Sequence, residues 1–110
     1  MIARHWRGLP QADQTDNYTR YFLNETFPKL SKIPGFVRAS ILTRPVLAGT
    51  EFLIVSYWES LDAIKRFAGD DAELAVIPDA VRAMMIDYDI RAVHYDVIET
   101  YDPTTPINHG

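Results

Sequence analysis

The sequence predicts an α+β domain with a ferredoxin-like βαββαβ topology, in which four antiparallel strands have the order 4-1-3-2. Strand-like and helix-like segments alternate as strand, helix, strand, strand, helix, strand. Short, right-handed connections convert this order into that sheet, with the helices on one face. The third strand, residues 51–58, is apolar on both sides, which indicates that the second face of the sheet is covered as well.

The third strand also predicts a second copy of the chain. A domain of 110 residues has enough helix to cover one face of a small sheet but hardly enough for two. We therefore expect a homodimer in which two sheets pack face to face, the architecture of a dimeric α/β barrel. The side chains predicted to share the helix-covered face are Phe52, Ile54 and Trp58, and those predicted to face the partner are Leu53, Val55 and Tyr57.

The first half of the chain contains the first two strands and the long helix between them. Residues 2–8 form the first strand, and residues 13–32 have the apolar spacing of a helix. Pro28 falls inside this helix and is expected to kink or tighten its last turn. The second strand covers residues 36–45, and residues 46–50 turn the chain into the third strand.

The second half of the chain begins with a well-marked helix. Ser60 is a good N-cap for it, and Gly69 is a suitable residue to end it. Pro78 begins a further short helix that is expected to carry Val81, Met84 and Met85. Residues 90–98 form the last strand.

Length and composition indicate one domain, residues 1–98, followed by a tail, residues 99–110. The net charge of −4 argues against nucleic acid or an anionic membrane surface as a partner. With no cysteine, the chain can form no disulfide, thiolate nucleophile or thiolate metal site. No signal peptide or apolar run of transmembrane length is recognised, so a cytoplasmic location is expected.

Several short motifs resemble the antibiotic biosynthesis monooxygenase (ABM) domain family. The most specific are WESLDA at 58–63 and FAGDD at 67–71. The resemblance implies a ferredoxin-like homodimer, and some members of this family oxidise electron-rich aromatic or quinol-like substrates without metal, flavin or haem. The other matching motifs are MIARHWRG (1–8), FP (27–28), PGF (34–36), EFL (51–53), YWES (57–60) and HYDV (94–97).

The family also has a haem-degrading branch, whose functional residues are not matched here. That branch uses an Asn in the first strand, a Trp on the helix after the third strand and a His on a helix. The corresponding positions in this sequence are His5, Phe67 and residues 75–78. We therefore expect no haem chemistry and no cofactor. Metal binding is not expected either, because the histidines at 5, 94 and 109 have no local ligand spacing.

Cofactor-free oxygenation requires a substrate anion, a base or hydrogen-bond donor that stabilises it, and a cavity that excludes water. His5 and His94 are the acid/base candidates, although a lone strand histidine is more often structural. If the register of the first and last strands places both on one face, the two imidazoles share a site; otherwise they lie on opposite faces. Arg38 and Tyr57 are candidate oxyanion partners, and the candidate cavity walls are Trp6, Trp58, Phe67 and Met84.

Each of these residues also has a structural interpretation. Arg38 can be an edge-strand charge that blocks sheet extension, and the aromatic and Met residues can be core. Arg4 and Arg7, which flank His5 and Trp6 in the first strand, are expected to reach solvent or a partner subunit. The predicted function is thus a cofactor-independent monooxygenase acting on a small aromatic or polyketide-like molecule. The alternatives are a non-catalytic small-molecule-binding or structural homodimer and, third, a ring isomerase on the same fold.

Overall fold

The computed structural model describes residues 1–104, which form a five-stranded antiparallel sheet with helices on one face. The strands are β1 (Ile2–Pro10), β2 (Phe36–Val46), β3 (Gly49–Trp58), β4 (Met85–Tyr88) and β5 (Val93–Asp96). Across the sheet, neighbouring strands follow the order β2-β3-β1-β4, and β5 also pairs with β1. This arrangement confirms the ferredoxin-like 4-1-3-2 prediction.

The long helix predicted over residues 13–32 is divided into four short segments. They are a 3-10 turn (Ala12–Gln14), α1 (Thr15–Tyr21), a π-helical turn (Phe22–Thr26) and α2 (Phe27–Ser31). Two further helices follow later in the chain, α3 (Leu61–Ala68) and α4 (Asp79–Met84). No helix within residues 1–104 has the length and apolar character needed to span a bilayer.

Two short strands, β4 and β5, pair with β1 where a single last strand, residues 90–98, was predicted. β5 pairs with residues 2–5 of β1, and β4 pairs with residues 8–10. The prediction that Met85 lies in the short helix is wrong. This residue has an extended backbone and pairs with Pro10, and its side chain is buried in the core. Pairing with the free edge of β1 therefore outweighs the local preference for helix.

The π-helical turn differs from the predicted effect of Pro28. The sequence predicted a kinked or tighter last turn, but the turn before Pro28 is wider, and the Phe27 N–H donates to the Phe22 carbonyl five residues back. Proline has no N–H for the usual bond, and its ring crowds the carbonyl four residues earlier. A π-turn relieves that conflict without ending the helix, and such turns are often found at functional sites.

The α3 helix confirms its predicted ends. The Ser60 side chain accepts a hydrogen bond from the Ala63 N–H at 3.2 Å, and Gly69 ends the helix with φ +86°.

Gly35, just before β2, has φ +92° and lies directly against Ala63 of α3. A Cβ at Gly35 would lie 2.4 Å from the Ala63 Cβ, so only glycine lets the start of β2 approach α3 this closely.

The helices and the sheet enclose one hydrophobic core, as alternation in β3 predicted. Phe52, Ile54 and Trp58 are all buried on the helix side. On the opposite side, which we call the open face, the strands present residues such as His5, Leu53, Val55 and Tyr57. Three further apolar residues of the open face are more than two-fifths exposed in the single chain: Leu42 (46%), Val93 (48%) and Tyr95 (56%).

Candidate functional site

A cavity of about 200 Å³ lies between the sheet and the helices. Its walls come from β1 and β3, from the π-helical turn with α1 and α2 on either side of it, from α3, and from α4 with the segment before it. The lining is mainly aromatic and aliphatic, and charged side chains are few. The lining residues are Arg4, Trp6, Tyr18, Tyr21, Phe22, Glu25, Thr26, Lys29, Leu30, Ile54, Ser56, Phe67, Ala75, Val76, Pro78 and Val81.

Two aromatic walls of the cavity are held rigidly. The Trp6 indole N–H donates to the Asp89 carbonyl at 2.7 Å, which fixes the ring. Phe67 stacks on Trp58 with ring centroids 5.7 Å apart. Trp58 itself is completely buried and donates to the Ser56 hydroxyl at 2.9 Å. Trp6 and Phe67 therefore form walls of the cavity, while Trp58 supports Phe67 from behind.

Arg4 is the only charged residue of the lining that is buried, with 4% of its surface exposed. Its Nη1 donates to the Ala72 carbonyl and to His94 Nε2 (2.7 Å), and its Nη2 donates to the Leu74 carbonyl at 2.9 Å. Its guanidinium carbon lies 5.8 Å from the Phe67 ring centroid. Burial lowers the Arg4 pKa to about 10, although the nearby Glu73 charge acts in the opposite direction.

These three bonds do not use all the donors of Arg4. They account for both protons of Nη1 and one proton of Nη2, so Nε–H and one Nη2 proton make no bond to any residue in 1–104. Within the same residues, no buried side-chain nitrogen or oxygen lacks a partner. The unbonded Nε therefore keeps some accessible surface, and Arg4 is one of the residues that line the cavity.

His94 is held by Arg4 in its neutral form. A guanidinium can only donate, so His94 Nε2 is the acceptor of the 2.7 Å contact and the ring proton resides on Nδ1. Burial lowers the His94 pKa, and the Arg4 charge lowers it further, with Glu73 opposing both. His94 is therefore neutral at pH 7, and it orients Arg4 rather than offering a free nitrogen to the cavity.

Two hydroxyls add neutral donors to the lining. Tyr18 is buried and packs edge-on against Phe52, and burial raises the pKa of its phenol. The Tyr18 hydroxyl bonds to no described residue, so, like Arg4 Nε, it keeps some accessible surface, and Tyr18 lines the cavity. Ser56 already accepts from Trp58 and keeps its own proton to donate. The polar groups of the cavity interior are thus donors.

Of the two arrangements that the sequence left open for His5 and His94, the structure shows the second, in which they lie on opposite faces of the sheet. In the β1–β5 register, Arg4 lies opposite His94 and His5 lies opposite Val93. Successive residues of a strand point to opposite faces, so His94 lies on the helix side and His5 lies on the open face. There the His5 ring contacts Tyr95, with ring centroids 5.0 Å apart. The proposed pair of imidazoles does not exist.

The other predicted site residues are distributed over both faces. Arg38 and Tyr57 form a cross-strand pair on the open face, with the guanidinium carbon 4.6 Å from the Tyr57 ring centroid. Neither residue lines the cavity. Met84 is half-buried against the core and does not line it either. His109 lies outside the described residues.

Three residues of the lining are not among those predicted from the sequence: Arg4, Tyr18 and Ser56. Arg4 was expected to reach solvent or a partner subunit, and this is wrong. The signal was present: Arg4 is two residues before Trp6 and must share its face.

Among residues 1–104, no group of three His, Cys, Asp or Glu side chains could hold a metal ion.

Comparison with known proteins identifies the family. The family model described as antibiotic biosynthesis monooxygenase matches residues 1–77. No curated protein matches the sequence significantly.

Solved structures with the same fold include three with described ligands or activities. MhuD, a haem degrader from Mycobacterium tuberculosis solved with two haems in its active site, is 17% identical, with a TM-score of 0.66 over 93% of this chain and 100% of that one. The ActVA-Orf6 monooxygenase of Streptomyces coelicolor, solved with nanaomycin D, is 17% identical, with a TM-score of 0.63 over 94% and 91%. SnoaB, a cofactor-independent oxygenase of Streptomyces nogalater, is 16% identical, with a TM-score of 0.60 over 90% and 94%. The family match and this shared fold agree, and the chain belongs to the antibiotic biosynthesis monooxygenase family.

Proposed function

We propose that this protein is a cofactor-independent monooxygenase that oxidises a small aromatic molecule in the cavity. One observation carries the proposal: aromatic walls enclose a cavity whose buried polar groups are all available as donors. Such a site binds a flat apolar ring and stabilises negative charge on its oxygen substituent. SnoaB and ActVA-Orf6, which share the fold, support this class of reaction.

The reaction we envisage needs no external reductant. A methylene carbon activated by a neighbouring phenol loses a proton to water, the resulting carbanion reacts with O₂, and the peroxide that forms takes a proton back. One oxygen atom becomes the carbonyl oxygen of the product and the other leaves as water, so the substrate supplies all four electrons. The protein contributes by orienting the substrate, stabilising its oxyanion and excluding water.

Haem is a poor candidate for the ligand, even though MhuD binds it. The described lining contains no His, Cys or Met, which are the usual axial ligands. Tyr18 is buried with a raised pKa, so it stays protonated and is a weak ligand. Ala75, Val76 and Pro78 line the cavity in the region where the haem-degrading branch was expected to have its histidine. The residues present therefore do not fit haem.

The geometry changes which residue we propose to promote ionisation of the substrate. His94 has its acceptor nitrogen bonded to Arg4, and His5 faces away from the cavity. We therefore propose that Arg4 promotes ionisation by lowering the pKa of the substrate, with His94 as a positioning residue. A direct catalytic role for either histidine remains the prediction of the sequence alone.

We also propose that the protein is a homodimer built on the open face. The exposed apolar residues Leu42, Val93 and Tyr95 support this arrangement because monomers rarely leave such a surface uncovered. Size exclusion with light scattering should give about twice the 12.6 kDa chain mass. A stable monomer at micromolar concentration would contradict the proposal.

A non-catalytic small-molecule-binding homodimer is the second candidate. It is favoured by the bonds from Arg4 to the Ala72 and Leu74 carbonyls, which give this residue a structural role without catalysis. The discriminating experiment measures O₂ consumption with a panel of phenols and phenol-activated methylene compounds of one to three rings, with and without a chelator. Chelator-independent O₂ uptake coupled to product formation supports the oxygenase, and saturable binding without uptake by any panel member supports the alternative.

A further inference from the structure

Arg4 is a buried cation without a counter-charge. Among residues 1–104, no carboxylate forms an ion pair with it, and the nearest acidic influence, Glu73, is itself exposed and paired with Arg91. Buried arginines are normally paired, because an isolated charge inside a protein is costly. Here all three acceptors are neutral: two carbonyls and one imidazole nitrogen. The cavity beside Arg4 therefore has an uncompensated positive charge.

The unbonded protons of Arg4 have the geometry of a receptor for an oxyanion. Nε and Nη2 are attached to the same carbon, and each keeps one free proton. Adjacent N–H groups of this kind bind two oxygens of a carboxylate or converge on one phenolate oxygen. Phe67 covers one face of the guanidinium at 5.8 Å, which leaves its edge as the approach for a ligand.

The remaining charges near the cavity do not neutralise Arg4. The two other charged residues of the lining, Glu25 and Lys29, are exposed and opposite in sign. They are four residues apart on one helical stretch, and together they add no net charge to the lining. The interior hydroxyls of Tyr18 and Ser56 are donors and reinforce the preference for a negative ligand.

The cavity volume limits the size of the ligand. A cavity of roughly 150 Å³ accommodates one benzene molecule, and this one measures about 200 Å³. It therefore suits one ring with its substituents or two fused rings. A porphyrin or an extended polyketide ring system would require the walls to move.

We infer that the cavity takes its ligand as the oxyanion of a one- or two-ring aromatic compound, a phenolate or a carboxylate, bound by Nε and Nη2 of Arg4. The inference deepens the proposed function by naming the charge and size of the ligand, and it rests on that function only for the location of the site. It makes Arg4 the residue that determines specificity.

The experiment measures binding without turnover, by quenching of Trp6 fluorescence under anaerobic conditions. The first pair of probes is 2-naphthoate and its neutral isostere 2-naphthamide. We expect the carboxylate to bind roughly 10- to 100-fold more tightly, the range for hydrogen bonds to a charged group. The second probe is para-nitrophenol, whose phenolate absorbs visible light. Binding should lower its apparent pKa by about one unit for each tenfold preference for the anion.

The outcomes separate this inference from the oxygenase proposal. Selective binding of both anions supports a general oxyanion site, and selective binding of only one identifies the class as carboxylate or phenolate. Equal affinity for 2-naphthoate and 2-naphthamide, with no pKa change in bound para-nitrophenol, overturns the inference. Anion-selective binding in a protein that consumes no O₂ would retain the inference and reject the oxygenase.

Variants assign the effect to Arg4. Arg4→Met should abolish the preference for the anion, and Arg4→Lys should retain part of it. Arg20→Met, which removes an exposed arginine from α1, is the matched control and should leave the preference unchanged. If the folded Arg4→Met variant keeps the full preference, Arg4 is not the receptor. If that variant does not fold, the spectrum of para-nitrophenol bound to the unmodified protein decides the question.

Discussion

Replacing Arg4 by methionine should remove most of the catalytic power while leaving the fold intact. Arg4 is a buried cation that lines the cavity and keeps two unbonded N–H protons, and a hydrogen bond to a charged group contributes about 1.5 to 3 kcal/mol. Losing both corresponds to about 3 to 6 kcal/mol. Removing a single donor of an oxyanion site typically lowers kcat by roughly 10² to 10³. We therefore expect kcat/KM to fall by at least about 10² in Arg4→Met.

The expected stability of this variant follows from two opposing effects. The fall of the Arg4 pKa to about 10 corresponds to a burial cost of about 3 kcal/mol, which methionine removes. Against this, the Ala72 and Leu74 carbonyls lose their donors, at about 1 to 3 kcal/mol each if they stay buried. The net change is at most about 3 kcal/mol, which a domain of this size can tolerate.

The assay follows O₂ consumption under single-substrate conditions with the compound identified in the panel. Urea unfolding of each variant checks that it is folded, and Arg20→Met is the control for removing an arginine. His94→Asn retains a hydrogen-bond acceptor near Arg4 and should cost less activity than Arg4→Met. A folded Arg4→Met protein that retains kcat/KM within about threefold of the unmodified protein would refute the reasoning, because such a donor pair cannot then contribute several kcal/mol.

Three further predictions concern stability and assembly. Gly35→Ala should lower the free energy of unfolding by about 2 to 5 kcal/mol, since it combines positive-φ strain with a clash against Ala63. Gly69→Ala has similar strain at φ +86° and open space around its Cβ, so it should cost about 1 to 2 kcal/mol in urea unfolding; equal costs would contradict the close approach. The folded His94 pKa is lowered, so the stability that its neutral form contributes is present above about pH 6.5 and is lost as the pH falls towards the folded pKa. His94→Asn should flatten this part of the stability profile, and an unchanged slope from pH 7.5 to pH 5 would exclude the effect. Finally, Leu42→Glu, at a residue exposed in the single chain, should produce a folded monomer by light scattering, whereas an unaffected dimer would place the interface elsewhere.

Local pattern was sufficient for the topology of the sheet and for its two faces. The alternation of Phe52 and Ile54 with Leu53 and Val55 defines the two faces of β3, because neighbouring side chains of a strand point in opposite directions whatever surrounds them. Ser60 and Gly69 likewise mark the ends of α3 through interactions within a few residues. Element order and the preference for short right-handed connections then leave few topologies, of which the observed one was predicted.

The site depends on strand register, helix packing and long-range contacts, which the sequence does not state. Whether His5 and His94 meet depends on the register between β1 and β5, and a register offset by one residue places them on opposite faces. Pro28 was recognised as a disturbance, but only the packing of the surrounding helix decides that the chain widens into a π-turn beside the cavity. The sequence places Arg4 on the face of Trp6. Tertiary structure alone brings the Ala72 and Leu74 carbonyls and His94 around it. Residues about 70 and 90 positions away must converge to bury this cation beside a cavity and to bond only three of its five protons.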